Sequence, residues 1–281
     1  MYYKFLLICI LALFLNSCDA SAGLFNKPKF KSGNGVTSVV NIDGRTYRLY
    51  KPSYLPSEKV PVLLALHGAY GNASFIEQHL GINALADKYG FMIAYPNGTE
   101  GVTMLMKNKR MWNSGNCCGV ASRRNIDDVG FLTRIINDLV YNHSADPKRV
   151  FISGHSNGSM MSYRFICERP EMVTAMIGIA GPLTLNRCRN ARGLKILHIH
   201  GAKDKFVPSY GGLSKKAKTG LYYKSIYENR KILEQSGANV EIKELPNTGH
   251  HLHEINQGAR NNYSASLAEI IMDFIKNKQK Q

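Results

Sequence analysis

The chain contains few acidic residues and, beyond its N-terminus, no long hydrophobic run. Its 20 Asp and Glu are outnumbered by 36 Lys and Arg, which gives a formal net charge of +16. No later segment reaches the roughly 18 consecutive apolar residues that a membrane-spanning helix needs. The basic residues form short scattered groups such as 107–110, and none alternates with aromatic residues as in nucleic-acid-binding modules. We therefore expect a basic, solvated surface and no nucleic-acid partner.

The sequence also lacks the common patterns of cofactor and metal sites. It contains no P-loop, no dinucleotide-binding fingerprint and no cysteine or histidine spacing typical of zinc. We therefore expect no cofactor and no metal. The length of 281 residues and the apolar content of 44% fit one folded domain with a well-filled core.

The N-terminus has the pattern of a secretory signal. A short basic segment precedes the apolar run 5–15, and small and polar residues follow, so we predict a signal peptide over 1–22. Two alternative cleavage sites are possible. The segment 15–18 resembles a lipobox, which would lipidate Cys18, whereas Ala20-Ser21-Ala22 suits ordinary signal peptidase. A cysteine directly after an apolar run favours the lipobox.

Residues 23–35 are rich in Gly, Lys and Asn and have no apolar periodicity, so they are predicted to form a flexible tether. The protein is therefore expected to be secreted or held in the cell envelope. A lipid on Cys18 would be its one attachment to a membrane. The oligomeric state is left open.

Four cysteines follow the tether, and an even number in an exported chain predicts two disulfide bonds. They are Cys117, Cys118, Cys167 and Cys188. Three connectivities are possible. A bond between neighbouring cysteines is strained, so the expectation is that Cys117 and Cys118 each pair with one of the other two.

Strand-like and helix-like segments alternate along the rest of the chain. Short apolar runs predict buried strands, and apolar residues repeated every three or four positions predict helices. The predicted strands are 36–41, 47–50, 60–66, 91–94, 149–153, 176–180, 194–200 and 240–245. The predicted helices are 75–89, one capped by Asp127-Asp128, 157–168, 221–235 and 264–276. Between them, 97–125 is expected to be a long loop.

This alternation follows an antiparallel hairpin that turns at Asp43-Gly44. The order predicts an α/β fold with a mostly parallel central sheet and helices on both faces. No internal repeat or second boundary is visible, so a single domain is predicted over 36–281.

A candidate nucleophile lies between a predicted strand and a predicted helix. Gly154-His155-Ser156-Asn157-Gly158 is a G-x-S-x-G motif, which presents a serine hydroxyl on a sharp turn. A serine hydroxyl is a weak nucleophile and needs a general base, which a carboxylate must orient. In the α/β-hydrolase fold these groups follow in the order Ser, acid, His. Ser156 is therefore the predicted nucleophile.

The acid and the base are predicted from loops at the ends of later strands, where α/β folds place their active groups. Asp204 follows the strand 194–200 and is the predicted acid. Gly249-His250-His251 follows the strand 240–245. We predict that His250 is the base, with His251 as the alternative.

Other histidines are given non-catalytic roles. His198 and His200 lie on a predicted strand and are expected to be packed and hydrogen-bonded, and His253 is expected to face solvent. An oxyanion hole needs two N–H donors. The predicted donors are the N–H of Asn157 and, from the loop after the first parallel strand, that of Ala69 or Tyr70.

At this point the sequence resembles the polyhydroxybutyrate depolymerase and feruloyl esterase family, carbohydrate esterase family one. The similar stretches run in family order across roughly residues 36–275. They are Leu66-His67-Gly68, Tyr95-Pro96-Asn97-Gly98, Trp112-Asn113 with Cys117-Cys118-Gly119, 126–132, 153–161, His200-Gly201 with Asp204 and Val207-Pro208, and Gly249-His250.

The resemblance implies an esterase of the α/β-hydrolase fold that forms an acyl-enzyme on Ser156. It also implies that Trp112 lies near the substrate and that Cys117 or Cys118 is disulfide-bonded. His67 is assigned to substrate binding with Trp112. The chain departs from the family after His67-Gly68 and after His250, in loops that border the site, so the resemblance leaves the substrate open.

The predicted function is an exported serine esterase. Its candidate substrates are hydroxyalkanoate oligomers and feruloyl or acetyl esters of polysaccharide. Two alternative functions belong to other classes of protein. One is a serine peptidase of the prolyl-oligopeptidase type, although the chain has no room for that group's large gating domain. The other is a catalytically silent binding module, which the complete set of Ser156, Asp204 and His250 disfavours.

Overall fold

A computed structural model describes residues 33–55, 58–102, 107–217 and 220–279 of the chain. The predicted signal peptide, Cys18 and residues 23–32 of the tether lie outside these ranges. Within them, no helix combines the length and the apolar character needed to cross a membrane.

The described chain forms an eight-stranded sheet in the order β1-β2-β4-β3-β7-β8-β9-β12. Only β1, β2 and β4 meet in antiparallel pairs, and all later neighbours are parallel, as the alternating sequence pattern predicts. The strands are β1 Val36–Ile42, β2 Arg45–Lys51, β3 Val60–Leu66, β4 Met92–Pro96, β7 Ala145–His155, β8 Ala175–Ile179, β9 Lys195–Gly201 and β12 Asn239–Leu245. Four short strands form two antiparallel pairs outside this sheet: β5 Thr99–Glu100 with β6 Arg110–Met111, and β10 Gly212–Leu213 with β11 Tyr222–Tyr223.

Helices cover both faces of the sheet. Two large groups of buried apolar side chains lie on opposite sides of it, and β3, which contributes to both, is buried along its whole length. The helices are α1 Ala73–Leu80, α2 Asn83–Tyr89, α3 Gly119–Arg123, α4 Asp128–Asn142, α5 Asn157–Glu168, α6 Ile226–Gln235, α7 Leu252–Tyr263 and α8 Leu267–Gln279. The predicted hairpin is also confirmed, since Ile42 pairs with Arg45 across the turn.

Three predicted elements differ from the structure. The predicted helix 75–89 is two helices, because Gly81 adopts φ 67°, a left-handed conformation that ends α1. The predicted helix 221–235 begins only at Ile226, after a capping box formed by Ser225 and Glu228. The predicted loop 97–125 contains β5, β6 and α3, and the helix α7 was not predicted at all.

The predicted disulfide connectivity is wrong. Cys117 is bonded to Cys118, and Cys167 is bonded to Cys188. Cys167 and Cys188 pack against one large apolar core with their Cα atoms 4.9 Å apart, whereas Cys117 belongs to a separate small group of side chains near Ser156. The two disulfides therefore lie in different packing groups, and neither joins one predicted pair to the other.

Candidate active site

Ser156 lies on the sharp turn between β7 and α5. Its backbone has φ 53° and ψ −120°, a conformation that non-glycine residues rarely adopt. The flanking glycines are required by close packing, because a Cβ at Gly154 would collide with the backbone of Gly158, and one at Gly158 with the carbonyls of Leu66 and His67. The G-x-S-x-G spacing therefore allows the turn that exposes the serine hydroxyl.

The structure brings the three predicted residues into one hydrogen-bonded line. The Ser156 hydroxyl lies 3.0 Å from Nε2 of His250, and Nδ1 of His250 lies 2.6 Å from Oδ2 of Asp204. Because the carboxylate can only accept, Nδ1 carries the proton and Nε2 is free to accept from Ser156. His251 instead precedes α7 with its side chain exposed, so the geometry favours His250.

Asp204 is held by four donors. Its Oδ1 accepts from the N–H groups of Phe206 and Val207, each at 2.8 Å. Its Oδ2 accepts from His250 and, at 3.2 Å, from Nε2 of His200. Burial alone would raise the pKa of Asp204, but the hydrogen bonds from His200 and His250 outweigh it and hold the pKa well below its usual range. The carboxylate therefore stays ionised.

Behind Asp204, buried side chains form a series of hydrogen bonds. Nε2 of His200 also donates to the Val207 carbonyl at 2.8 Å, so Nδ1 of His200 must accept, and it does so from Nε2 of His198 at 3.0 Å. Nδ1 of His198 in turn accepts from the hydroxyl of Tyr163 at 2.9 Å. Every donor in this chain thus points toward Asp204. The prediction that His198 and His200 are packed and hydrogen-bonded is confirmed.

His155, the second residue of the G-x-S-x-G motif, holds His250 from the other side. Its Nε2 donates to the backbone carbonyl of His250 at 2.9 Å. Burial lowers the pKa of His155 to about 3, so its ring is neutral and fixes the backbone of His250. Sequence reasoning gave His155 no role, because the contact joins residues that are far apart in the chain.

The structure decides between the two predicted donors from the loop after β3. The N–H of Tyr70 donates to the Arg110 carbonyl at 2.9 Å, so it is not available to an oxyanion, and the prediction of Tyr70 is wrong. Ala69 lines the same cavity as Ser156, and its N–H has no acceptor among the described residues. The N–H of Asn157 is in the first turn of α5, where no helical carbonyl can accept from it.

Trp112 and His67 lie beneath the site, and the prediction that they bind substrate is wrong. Both side chains are 0% exposed and neither lines the cavity at Ser156. Nε1 of Trp112 donates to the His67 carbonyl at 3.0 Å, and Nε2 of His67 accepts from the N–H of Gly98 at 3.0 Å. The side chain of Asn157 accepts from the N–H of Trp112 at 2.7 Å. These residues therefore fix the loops that surround the serine.

The cavity in front of Ser156 has a volume of about 900 Å³. Apolar side chains form much of its wall, notably Met111, Met160, Phe206 and Tyr223. The Cys117–Cys118 disulfide also lines it. Within the described residues no group of side chains is arranged to hold a metal ion. The site is thus an apolar cavity with a serine hydroxyl and N–H donors at one end.

Comparison with known proteins identifies the family and the fold of the chain. Residues 45–204, more than half of the chain, match the family described as Esterase PHB depolymerase. The S-formylglutathione hydrolase of Agrobacterium tumefaciens superimposes with a TM-score of 0.60 at 14% identity, over 85% of this chain and 96% of that one. At this identity the likeness shows the fold, so the predicted α/β-hydrolase fold is confirmed. The fold is therefore that of the α/β-hydrolases, and the matching family is described as an esterase family.

The chain belongs to the Esterase PHB depolymerase family, as its motifs predict. It is 27% identical to the bifunctional acetylxylan esterase/xylanase XynS20E of Neocallimastix patriciarum, over 57% of this chain and 22% of that protein. It is 30% identical to feruloyl esterase B of Piromyces equi, over 58% of this chain and 30% of that protein. The chain thus spans less than a third of the length of these two relatives.

Proposed function

We propose that this protein is an exported serine esterase that hydrolyses carboxylic esters through an acyl-enzyme on Ser156. His250 is the general base and Asp204 orients it. The N–H groups of Asn157 and Ala69 bind the oxyanion. The observation that carries this proposal is the continuous hydrogen-bonded line from Asp204 through His250 to a serine on a strained turn.

The proposed reaction has two halves. Ser156 Oγ attacks the ester carbonyl while its proton passes to Nε2 of His250, and the carbonyl oxygen becomes an oxyanion. The tetrahedral intermediate then collapses: the bond to the alcohol oxygen breaks, and His250 protonates the leaving alcohol. Water repeats these steps on the acyl-enzyme, with His250 as base, and releases the acid and the free serine. The buried, ionised Asp204 stabilises the imidazolium that forms in each half.

The proposed substrates are hydroxyalkanoate oligomers, or feruloyl or acetyl esters of polysaccharide. The family description and the names of the relatives support this range. The apolar wall around Ser156 supports an acyl group or alcohol with apolar surface. We also propose that residues 36–281 act as one catalytic domain, which one continuous sheet supports.

We also propose that the protein is exported from the cytosol. The sequence supports it by the signal pattern at 1–22. The Cys167–Cys188 disulfide, which links elements of the folded domain, is also typical of proteins that fold outside the cytosol. Lipidation of Cys18 remains one of two proposed ways in which the signal is processed.

The test is covalent labelling with a fluorophosphonate probe, with the adduct mapped by mass spectrometry. We expect one adduct, on Ser156, and none in Ser156→Ala or His250→Ala. His253→Ala is the matched control, because this exposed histidine stacks on His251 and does not line the cavity at Ser156. Failure to label folded protein, or equal labelling of His250→Ala, would contradict the proposal. Parallel assays with a nitrophenyl ester and a matched anilide separate esterase from peptidase activity.

A further inference from the structure

The cavity in front of Ser156 carries charge of one sign. Arg123 and Lys216 are among its lining residues, and no Asp or Glu of the described chain lines it. Arg123 is the last residue of α3. Lys216 lies in a turn in which its N–H donates to the Lys205 carbonyl at 3.1 Å. Two cations therefore approach the cavity from two separate elements.

Neither cation has an acidic partner in the described part of the chain. Arg45, which also lies near the site, differs because it forms an ion pair with the buried Asp128 at 2.7 Å. Both Arg123 and Lys216 are exposed to solvent. An exposed cation without a protein partner is available to an anion from solution.

The rest of the wall explains what kind of anion would fit. Met111, Met160, Phe206 and Tyr223 present mainly apolar surface to the cavity. Such a wall suits an aliphatic chain, whereas the hydroxyl groups of a sugar ring would lose hydrogen bonds to water there. A cleft with low-dielectric walls and charges of one sign also concentrates ions of the opposite sign.

We propose that Arg123 and Lys216 bind a carboxylate of the substrate, so that the favoured substrates are aliphatic esters that carry a free acid group. A short oligoester with a free carboxyl terminus has this chemistry. This inference rests on the proposed esterase function and deepens it. The cations act on the affinity for the substrate and not on the reacting bond.

The test compares free acids with their methyl esters, in which the negative charge is replaced by a neutral methyl ester group. One pair is 4-nitrophenyl hydrogen glutarate and 4-nitrophenyl methyl glutarate, which places the charge on the acyl side. The other pair is the 3-hydroxybutyrate trimer and its methyl ester, which places the charge on the alcohol side. We expect kcat/KM to favour the acid in at least one pair by about fivefold to tenfold, through a lower KM. The preference should shrink in about 0.5 M NaCl, because salt screens exposed charges.

The double variant Arg123→Gln/Lys216→Gln should remove the preference and leave the hydrolysis of the methyl esters within about twofold. The matched control is Arg124→Gln/Lys215→Gln, which removes the same charges from neighbouring residues that do not line the cavity. Both double variants lower the net charge equally. A preference for the acid that both variants lose alike would overturn the inference, because general attraction by the basic protein would then explain it.

Two further results would also overturn it: no preference for the acid in either pair, or a preference that survives Arg123→Gln/Lys216→Gln. Failure of the proposed function is a different result. In that case the neutral methyl esters would also not be hydrolysed, and Ser156 would not react with the fluorophosphonate.

Discussion

Asp204 accepts hydrogen bonds from two backbone N–H groups and two histidine rings, which occupy the acceptor sites of both its oxygens. His200 is the donor whose partner was not predicted from the sequence. It reaches Asp204 from the end of β9, only four residues earlier in the chain. A buried carboxylate needs such donors to remain ionised beside the histidine that we propose becomes charged. We therefore assign His200 the positioning of Asp204.

Replacing His200 with Phe should lower kcat by about tenfold and change KM little. The reason is that Asp204 loses one donor, while the cavity wall, which His200 does not line, stays the same. His200→Gln, which can still donate to Asp204, should keep more of the activity. Steady-state kinetics on an ester, with circular dichroism to verify folding, measure this. Equal kcat values for wild type and His200→Phe would contradict the assignment.

At the residue scale, sequence reasoning predicted which three side chains the structure brings together, because one local pattern marks each of them. Ser156, Asp204 and His250 each follow a buried strand, and the carboxyl ends of parallel strands meet at one edge of the sheet. It failed where the answer depended on a distant partner. Tyr70 could not be excluded as an oxyanion donor, because the acceptor of its N–H is the carbonyl of Arg110, forty residues later.

At the scale of elements, the turn from β7 to α5 depends on the contact between Gly154 and Gly158. Gly154→Ala should lower the free energy of unfolding by about 2–3 kcal/mol, since the added Cβ collides with backbone that cannot move aside. Gly44→Ala is the control. Gly44 has φ +79° and open space around it, so only the left-handed conformation opposes the change, at about 1 kcal/mol. Urea unfolding of both variants measures the free energy of unfolding that each loses. Equal losses would contradict the expected difference.

Sequence reasoning predicted best those elements whose own residues mark where they begin and end. The strand β3 and the helix α5 have the predicted boundaries, because each is bounded by turns and filled with apolar or small residues. Helix α7 was missed because it begins directly after the predicted base, with His251 in the N-cap position instead of Ser, Thr, Asp or Asn. The Cys117–Cys118 bond was missed because the argument from strain ignored that Cys167 and Cys188 pack elsewhere.

At the scale of the molecule, buried neutral histidines link stability to pH. Burial lowers the pKa of His67 to about 4 and that of His155 to about 3, and burial with His200 nearby lowers that of His198 well below its usual value. In the unfolded chain these groups take up protons near pH 6.5, as free histidine does. Their contribution to stability is therefore complete above about pH 6.5 and is lost as the pH falls below it.

The free energy of unfolding should consequently fall between pH 7 and pH 5, and each buried histidine contributes up to about 1.4 kcal/mol per pH unit in the lower part of this range. His198→Gln can accept from Tyr163 and donate to His200 without titrating, so its slope should be smaller by about that amount. Urea unfolding of wild type and variant across this range measures both slopes. Identical slopes would contradict the neutral state of His198.

Ser156 is proposed to carry the acyl group during the reaction. The most direct measurement is to quench the protein within milliseconds of mixing with 4-nitrophenyl acetate and to map the acetyl group by mass spectrometry. We expect an acetylated peptide that contains Ser156, formed with a burst of nitrophenol and absent in Ser156→Ala. Turnover without an acetyl group on Ser156, or turnover that persists in Ser156→Ala, would contradict it.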